Sequence, residues 1–491
     1  MNTETLILHT SARYPQFPYT QPDDDLAVGL RALWGAWGKD PDNPFGDWVG
    51  RGGRVVIKPN WVRDYHPEGH GLDCLVTHPA LIAHAIEWAA TALQGRGSII
   101  IGDSPLQDTN FANLMKLTGM ERLVDHMRQR HPGIDIAVED WRLTLLSERS
   151  TDRAAVATAR QQSRTHYEDR LSRDYRLVDL GRGSFLEEVS DYAGGFRVTS
   201  YDPSIIVRHH HHGKHEYLIT NRIFGADLFV NLPKMKTHMR AGLTGGLKNL
   251  VGINGHKEYL PHHTQGSYFE GGDSYCNSNR FTRGFESTYD TYWARRRHLR
   301  VVARAYYSVL LQLHWKAAQW AGGDVFLGGC WSGNDTVWRM ALDLNHILYC
   351  SPDSPRHAVT IVDGLIAGEG MGPLRPAPKP AGLLIAGHNP AYVDAVIGRI
   401  MGYNLARIPT VYHAIYNRQS RLAGPELDEY SVVSVAGAGP AQVVPFGAIE
   451  TNWFVKPKKW ERADVPQARQ AFERKTSAEP RIDFAAAACE P

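Results

Sequence analysis

The chain has 491 residues, of which 54 are lysine or arginine and 52 are aspartate or glutamate, so its formal charge is +2. This near balance excludes a globally basic nucleic-acid scaffold and a protein with a long acidic tail, and we expect no nucleic-acid partner. No apolar run approaches the roughly 18 residues that a membrane span needs. The composition, 43% hydrophobic and 22% charged, is typical of a globular protein with a large core.

The first residues lack the basic start and the apolar stretch of a signal peptide. The five cysteines are scattered singly, without the C-x-x-C spacing of a zinc ribbon, so we expect no iron–sulfur cluster held by this chain. Free thiols in a reducing compartment fit this pattern best. The sequence therefore predicts a cytoplasmic protein and leaves its oligomeric state open.

Six short apolar runs predict buried strands. In chain order they cover residues 54–57, 98–101, 227–230, 359–362, 382–386 and 431–435. Helical patterns follow three of them, so strands and helices alternate. This alternation predicts an α/β fold with a mostly parallel sheet flanked by helices on both faces.

Proline placed directly after a capping residue predicts where helices begin. Thr77 is expected to cap a helix that starts at His78-Pro79 and continues to residue 93. Ser104-Pro105 is expected to open a second helix, and Asn389-Pro390 a third that runs to residue 402. Residues 293–320 predict an amphipathic surface helix.

The predicted α/β core covers residues 54–405. Two stretches read as insertions into it, at about 131–195, which is polar and rich in arginine, and at about 261–335. Residues 1–53 are expected to form an N-terminal segment packed on the core. Residues 406–491 are expected to form a C-terminal extension.

Polar residues follow four of the predicted strands. In an open parallel sheet, ligands bind outside the carboxyl ends of the strands, so these residues would converge on one crevice. Taken alone, the polar residues after any one strand are typical of an ordinary loop, where Asp, Asn, Gly and Pro are common. The four together favour a site, whose members are Lys58, Asn60, Asp103, Ser104, Asn231, Lys234, Lys236, His238 and Asp363.

The segment 234–252 is the densest part of this pattern, because it combines four cations with a glycine-rich stretch. Glycines let backbone amides approach an anion closely. It is not a Walker A loop, since Leu247 separates Gly246 from the following lysine. The segment predicts ligand-binding roles for Lys234, Thr244, Gly245, Lys248 and Asn249, and the alternative is a solvated basic loop.

Nine of the 23 histidines fall between His209 and His263. Histidines and a carboxylate could hold a metal ion, and the weak candidates are His210, His215, His262, His263 and Asp273. No helical H-x-x-x-H spacing occurs there, and the run 209–212 is expected to be an exposed loop. His238 and His256 flank the glycine-rich stretch and are better candidates for acid/base or ligand-binding roles, because imidazole titrates near neutrality.

The carboxylates at the strand ends leave three interpretations open. Asp103 and Asp363 could form structural ion pairs with lysines, hold a Mg²⁺ ion for a phosphate-bearing ligand, or act as acid/base catalysts. Asp394 lies one turn into its predicted helix, where it could simply favour the helix dipole.

A set of motifs resembles the DUF362 family, a domain of unknown function found in bacteria and archaea. The motifs are Lys58-Pro59-Asn60, Thr77-His78-Pro79, Gly102-Asp103-Ser104-Pro105, Asn231-Leu232-Pro233-Lys234-x-Lys236-Thr237-His238, Leu247-Lys248-Asn249-x-x-Gly252, Asp363-Gly364, Glu369-Gly370-x-Gly372-Pro373 and Asp394-Ala395-Val396. The resemblance covers about residues 54–405 and adds His78 and Glu369 to the expected ligand-binding residues. Residues 257–263 and 331–339 resemble a longer subgroup of the family. Some members carry ferredoxin-like modules, but this chain has no such cysteine cluster, so the resemblance implies no electron-transfer role.

Three hypotheses of function follow. The first is an enzyme acting on a phosphate- or carboxylate-bearing small molecule. Lys58, Lys234, Lys236 and Lys248 would bind the anion, while Asp103 and Asp363 would hold a divalent cation or exchange protons. His238 would act as acid/base, and a desolvated lysine as base or nucleophile.

The second hypothesis is a metal-dependent oxidoreductase or isomerase that uses histidines of the 209–263 segment. The third is a non-enzymatic protein that binds an anionic ligand, because a binding crevice needs the same cations as an active site.

Overall fold

The computed structural model describes residues 5–143, 171, 173–191, 195–199, 201–295, 301–322 and 328–460. Parts of the two predicted insertions, namely 144–170, 172, 192–194, 296–300 and 323–327, lie outside the described residues. Residues 461–491 of the predicted C-terminal extension also lie outside them.

The strands are numbered here in chain order. They are β1 Thr5–His9, β2 Arg54–Pro59, β3 Gly97–Asp103, β4 Ile134–Asp140, β5 Tyr175–Asp179, β6 Phe196–Arg197, β7 His210–His211, β8 Lys214–Thr220, β9 Leu228–Leu232, β10 Lys234–His238, β11 Gly242–Thr244, β12 His263–Thr264, β13 His357–Met371, β14 Arg375–Gly387, β15 Ser431–Ala436 and β16 Gln442–Pro445.

The helices are numbered in the same way. They are α1 Asp25–Ala36, α2 Pro79–Leu93, α3 Phe111–Thr118, α4 Met120–Arg130, α5 Pro203–His209, α6 Gly246–Asn249, α7 Arg280–Arg295, α8 Val301–Trp320, α9 Val337–Cys350, α10 Pro390–Ile400 and α11 Pro409–Tyr416.

One large mixed sheet organises the fold, with the order β16-β15-β1-β14-β13-β9-β2-β3-β4. The run β13-β9-β2-β3-β4 is parallel throughout. Strand β10 continues along the edge of β13 beyond β9 and pairs with β11 on its other side. The structure therefore confirms an α/β fold with a mostly parallel sheet. Strands β1, β15 and β16 belong to this sheet, so parts of the predicted N-terminal segment and C-terminal extension add strands to it.

The sheet is buried on both faces. Alternate residues of each strand point to opposite sides of the sheet, and each side packs into a core. Val55 and Ile57 of β2 pack into the core that contains α1, α2, α3 and α4. Val56 between them packs with Phe229 into the core on the other face, which includes α9. Helices α10 and α11 cover the neighbouring part of that face. A strand that is buried on both faces needs apolar residues at consecutive positions. The short apolar runs of the sequence predicted such strands.

The helix predicted after Thr77 is present as α2, but its predicted cap is wrong by one residue, and the start predicted for the next helix at Ser104-Pro105 is wrong. Thr77 Oγ1 donates to Leu232 O at 2.6 Å, and His78 caps α2 instead by accepting from the Ala80 amide. The Ser104 amide donates to Gly252 O at 3.1 Å, so the chain after β3 stays at the strand end. Helix α3 begins only after Asn110, whose side chain caps it. The helix predicted at Asn389-Pro390 is confirmed.

The prediction of a single helix over 293–320 is wrong, because these residues divide between the end of α7 and α8, which packs back on α7; residues 296–300 lie outside the described residues. Among the described residues, no helix combines the length and apolarity required to cross a membrane. Cys74, Cys330 and Cys350 are free thiols. Cys276 is disulfide-bonded, so the expectation that every cysteine is free is wrong.

Candidate functional site

The predicted strand ends meet at one edge of the sheet. Lys58 of β2 lies beside Asn231 of β9, which in turn lies beside Thr360 of β13. Lys234 of β10 lies beside Asp363 of β13. The registers of the parallel strands thus bring together residues that are far apart in the sequence.

The first pair at this edge is a buried salt bridge between Lys58 and Asp103. Lys58 Nζ lies 2.7 Å from Asp103 Oδ1, and the carboxylate also accepts from the Ser104 amide at 2.8 Å and the Trp61 amide at 2.6 Å. A Cβ on Gly252 would lie 1.8 Å from Asp103 Oδ1, so this position requires glycine. Asp103 is therefore held in place by a cation and two amides.

The second pair is Lys234 and Asp363, which lie 2.6 Å apart and are both fully buried. Tyr14 donates to the other carboxylate oxygen at 2.7 Å and accepts from Lys234 Nζ at 2.8 Å. The His78 amide also donates to Asp363 at 2.8 Å, and the His78 ring stacks on Tyr14. Sequence reasoning missed Tyr14, because nothing in its N-terminal surroundings resembles a site motif.

Three asparagines connect these strand ends to α6. Asn249 Oδ1 accepts from Asn60 Nδ2 at 2.9 Å, and Asn249 Nδ2 donates to Asn231 Oδ1 at 2.7 Å. Asn231 donates in turn to Gly246 O at 3.0 Å. The buried amides are hydrogen-bonded to one another, and together they hold the glycine-rich segment against β2 and β9.

The amides at the start of α6 are occupied by a carboxylate of the protein itself. Asp394 accepts from the Gly246 amide at 2.6 Å and the Leu247 amide at 3.1 Å. Burial raises the pKa of Asp394 to about 7. A Cβ on Gly245 would lie 2.1 Å from Asp394 Oδ1. The glycines thus allow a carboxylate to approach these two amides closely, and that carboxylate is Asp394, which caps α6 rather than its own helix.

Beyond the two ion pairs lies a group that we term the cationic cluster, formed by Lys236, His238, Arg240, Lys248 and His262. Its members interact electrostatically, since Lys248, Arg240, His262 and Lys236 all lower the pKa of His238. In the described part of the chain, no carboxylate lies within 4.0 Å of a Lys236, Arg240 or Lys248 side-chain nitrogen to form an ion pair. Among the described residues, the cluster therefore differs from the neighbouring pairs in having no carboxylate within ion-pair distance of these nitrogens.

Lys236 is buried, and among the described residues it bonds only to neutral partners. Its ammonium donates to Asn60 Oδ1 at 2.6 Å and to Leu75 O. Burial, and after it the charge of Lys234, lower the pKa of Lys236 to about 7. Lys236 therefore exchanges its proton near neutral pH.

Lys248 is the least compensated group of the cluster. It is 6% exposed, and within the described residues its ammonium has no hydrogen-bond or ion-pair partner. Burial, followed by Arg240 and Lys257, lowers its pKa to about 7. Arg240 itself donates to the neutral acceptors Gly328 O and Thr199 Oγ1, at 2.5 and 2.7 Å. A buried cation in such surroundings favours a bound anion.

The two histidines of the cluster are neutral. One offers a hydrogen-bond donor at Nε2, and the other offers an acceptor. His238 Nδ1 accepts from the Arg240 amide at 3.0 Å and the Ala241 amide at 3.2 Å, so the ring proton sits on Nε2. His262 Nδ1 lies 2.7 Å from Leu260 O, so its proton sits on Nδ1 and Nε2 is an acceptor. Burial, and then Lys248, lower the pKa of both rings well below 6.5.

Two predicted residues contribute buried hydroxyls at this edge. Thr244 pairs with Lys236 in the β10–β11 register. In the described structure, Thr244 Oγ1 and Ser104 Oγ are both buried without a hydrogen-bond partner. Buried hydroxyls usually have partners, so these two retain bonding capacity.

Two other predicted ligand-binding residues have structural contacts. His256 Nδ1 accepts from the Glu258 amide at 3.3 Å and caps a short turn. Glu369 accepts from the Val455 amide at 2.9 Å, which fastens the chain after β16.

The weak metal candidates have structural contacts of their own. His210 and His215 face each other at 3.4 Å, while Asp273 accepts from the Asp335 and Thr336 amides at 2.8 and 2.7 Å, at the start of α9. His263 is buried and its Nδ1 has no partner among the described residues. Across the described ranges, no group of three or more His, Cys, Asp or Glu is placed to hold a metal ion.

The expectation of an exposed loop at 209–212 is wrong in part. His209 ends α5 and His210–His211 form β7, which pairs with β8. His210 is buried against Tyr217 and donates from Nε2 to Tyr259 O at 2.9 Å. His211 and His212 are exposed. The short hairpin buries one side of the run, which the four identical residues could not reveal.

The fold and this edge define an α/β protein with buried cations at the carboxyl ends of its parallel strands. The chain belongs to the DUF362 family, "Domain of unknown function (DUF362)", whose model matches residues 55–159 and 183–399. Searches of the curated proteins and of the solved structures found no match.

Proposed function

We propose that the chain is an enzyme that acts on a small molecule bearing a phosphate or carboxylate group, which binds at the cationic cluster. The observation that carries this proposal is Lys248, a buried lysine with no counter-charge among the described residues. Burying an unpaired charge costs several kcal/mol. A bound anion would supply the missing negative charge and offset that cost in free energy.

The tautomers and pKa values assign different roles to the members of the cluster. Lys248 and Arg240 bind the anionic group. Lys236, with a pKa of about 7, is the group best matched to proton transfer at neutral pH. Neutral His238 donates Nε2–H to the ligand, because its Nδ1 already accepts two backbone amides.

The two ion pairs position the site in this proposal. Asp103 and Asp363 each accept from a lysine and from backbone amides. These partners, together with Tyr14 at Asp363, occupy the oxygens of both carboxylates. We therefore propose that both pairs hold the strand ends in register. Asn60 accepts a hydrogen bond from Lys236 and so positions its ammonium.

Ligand-induced stabilisation tests the binding step. Wild-type protein is melted with inorganic phosphate, pyrophosphate or citrate and compared with Lys248→Met and with Lys116→Met, which removes an exposed lysine. We expect at least one of these anions to raise Tm in the wild type and in Lys116→Met, and the increase to be lost in Lys248→Met. An identical response of Lys248→Met and wild type, or no response to any anion, would place the ligand elsewhere.

Turnover then separates an enzyme from a binding protein. Wild type and Lys236→Met are incubated with a library of phosphate esters and carboxylates, and products are followed by mass spectrometry. We expect wild type to convert at least one compound that it binds, and Lys236→Met to bind that compound without converting it. Binding without turnover in the wild type would support the non-enzymatic alternative.

A further inference from the structure

Helices α7 and α8 form an antiparallel hairpin at the surface. Helix α7 is anchored to the body of the protein, because Asp290 pairs with Arg197 at 2.8 Å and Glu286 accepts from Tyr275 Oη at 3.0 Å. Helix α8 packs on α7, where Thr288 Oγ1 and His314 Nδ1 lie 3.1 Å apart. Helix α8 is therefore the outer member of the hairpin.

The outer side of α8 carries a row of exposed apolar side chains. Val302, Tyr306, Val309, Leu313 and Trp320 are between 56% and 88% exposed. Their spacings of four, three, four and seven residues place them on one side of an α-helix. Single exposed apolar residues are normal, but an aligned row marks an interaction surface. We term this row the α8 stripe.

The hairpin that carries the stripe is basic. Helices α7 and α8 contain five Lys or Arg residues and two acidic ones. Both acidic residues bond to the body of the protein as described above, and Arg283 pairs there with Glu270 at 2.8 Å. Arg304 and Lys316 are exposed on α8 itself. The sequence between the two helices, outside the described residues, adds three arginines and no acidic residue.

We propose that the α8 stripe docks on a lipid surface that contains anionic headgroups. A helix with aliphatic and aromatic residues on one side, and with basic residues around them, lies in the membrane interface with its apolar side inserted. Trp320 and Tyr306 suit the headgroup level, and Lys316 extends its ammonium from the stripe toward phosphates. A second copy of the chain fits this face less well, because it would bring two basic hairpins together. This inference is independent of the function proposed for the cationic cluster.

Vesicle co-sedimentation of the full chain tests the proposal. The protein is mixed at low and high salt with vesicles of phosphatidylcholine alone or of phosphatidylcholine with phosphatidylglycerol. We expect sedimentation with the phosphatidylglycerol vesicles and little with phosphatidylcholine alone. We also expect salt to weaken the binding, because part of the attraction is electrostatic.

Three sets of variants locate the contact. Val309→Gln with Leu313→Gln reduces the apolar stripe, and Arg304→Glu with Lys316→Glu reverses its charge; each pair is expected to weaken binding by roughly tenfold or more. Leu117→Gln with Val443→Gln changes equally exposed residues elsewhere and should bind like wild type. Circular dichroism confirms that each variant is folded.

Three outcomes would overturn the proposal. The first is equal sedimentation of the wild type with both kinds of vesicle. The second is unchanged binding by the stripe and charge variants. The third is a wild-type dimer in light scattering that Val309→Gln with Leu313→Gln converts to a monomer without affecting the lipid pellet; that result would assign the stripe to a second copy of the chain.

Discussion

Replacing Lys248 by methionine should stabilise the ligand-free protein. The substitution keeps a long flexible side chain and removes the ammonium that has no counter-charge among the described residues. The pKa of Lys248 is lowered from 10.5 to about 7, and each pH unit corresponds to about 1.4 kcal/mol. Multiplying the lowering of the pKa by this value gives about 5 kcal/mol. This is the upper limit of the free energy by which burial of the charge destabilises the folded state. Buried ion pairs replaced by apolar residues have given gains of roughly 1–4 kcal/mol, and we expect a gain of the same order for Lys248→Met at pH 7.

The pH dependence of this gain has a definite sign. The folded-state pKa lies below the unfolded value, so between about pH 7 and 10.5 the unfolded chain binds the extra proton. Wild-type stability therefore rises with pH across this window as the cost is relieved. Lys248→Met never carries the charge, so its advantage should be fully present below about pH 7 and should shrink toward pH 10.

The assay is thermal or denaturant unfolding at several pH values in a buffer free of phosphate and carboxylates. Lys116→Met, at an exposed site, serves as the control and should leave stability unchanged. A lower Tm of Lys248→Met at pH 7 would refute the reasoning. A difference from wild type that stays constant between pH 7 and 10 would also refute it.

Two further substitutions test the geometry around the cluster. Gly245→Ala should lower the free energy of unfolding by roughly 2–3 kcal/mol, because the new Cβ would lie 2.1 Å from Asp394 Oδ1 and displace it from the α6 amides; Gly447→Ala, where space is open, should cost far less in the same urea titration. Asp103→Asn should cost about 3–5 kcal/mol, because it leaves a buried lysine unpaired, whereas Asn at the exposed Asp42 should cost less than about 1 kcal/mol. Equal losses in either matched pair would contradict the contacts described.

The parallel strands could be predicted because burial on both faces demands consecutive apolar residues. Val55, Val56 and Ile57 meet that demand, and so their strand is visible in the sequence. The outer parts of β13 and β14 were missed, because they pair with each other through Gly- and Pro-rich segments. There the pairing, rather than the apolarity of the side chains, maintains the strand.

The site could be predicted as a set of residues but not as a set of partners. The strand-end rule brought Lys58, Asp103, Lys234 and Asp363 to one edge, and the structure places them there. Sequence spacing carries no information about which lysine contacts which carboxylate. The sequence therefore could not show that Lys248 has no ion-pair partner among the described residues. That state of Lys248 becomes apparent only from the structure, which gives Asp103 and Asp363 other lysines as partners.

The position of β1 has a consequence for folding during synthesis. Leu6 pairs with Ala386 of β14 on one side and with Val433 of β15 on the other. Domains fold as units while the ribosome adds roughly 5–20 residues per second, so β1 waits some tens of seconds for its neighbours. During that time its apolar residues Leu6, Ile7 and Leu8 remain available to other chains. Nascent chains paused before residue 386 should therefore depend on chaperones more than chains that have passed residue 436.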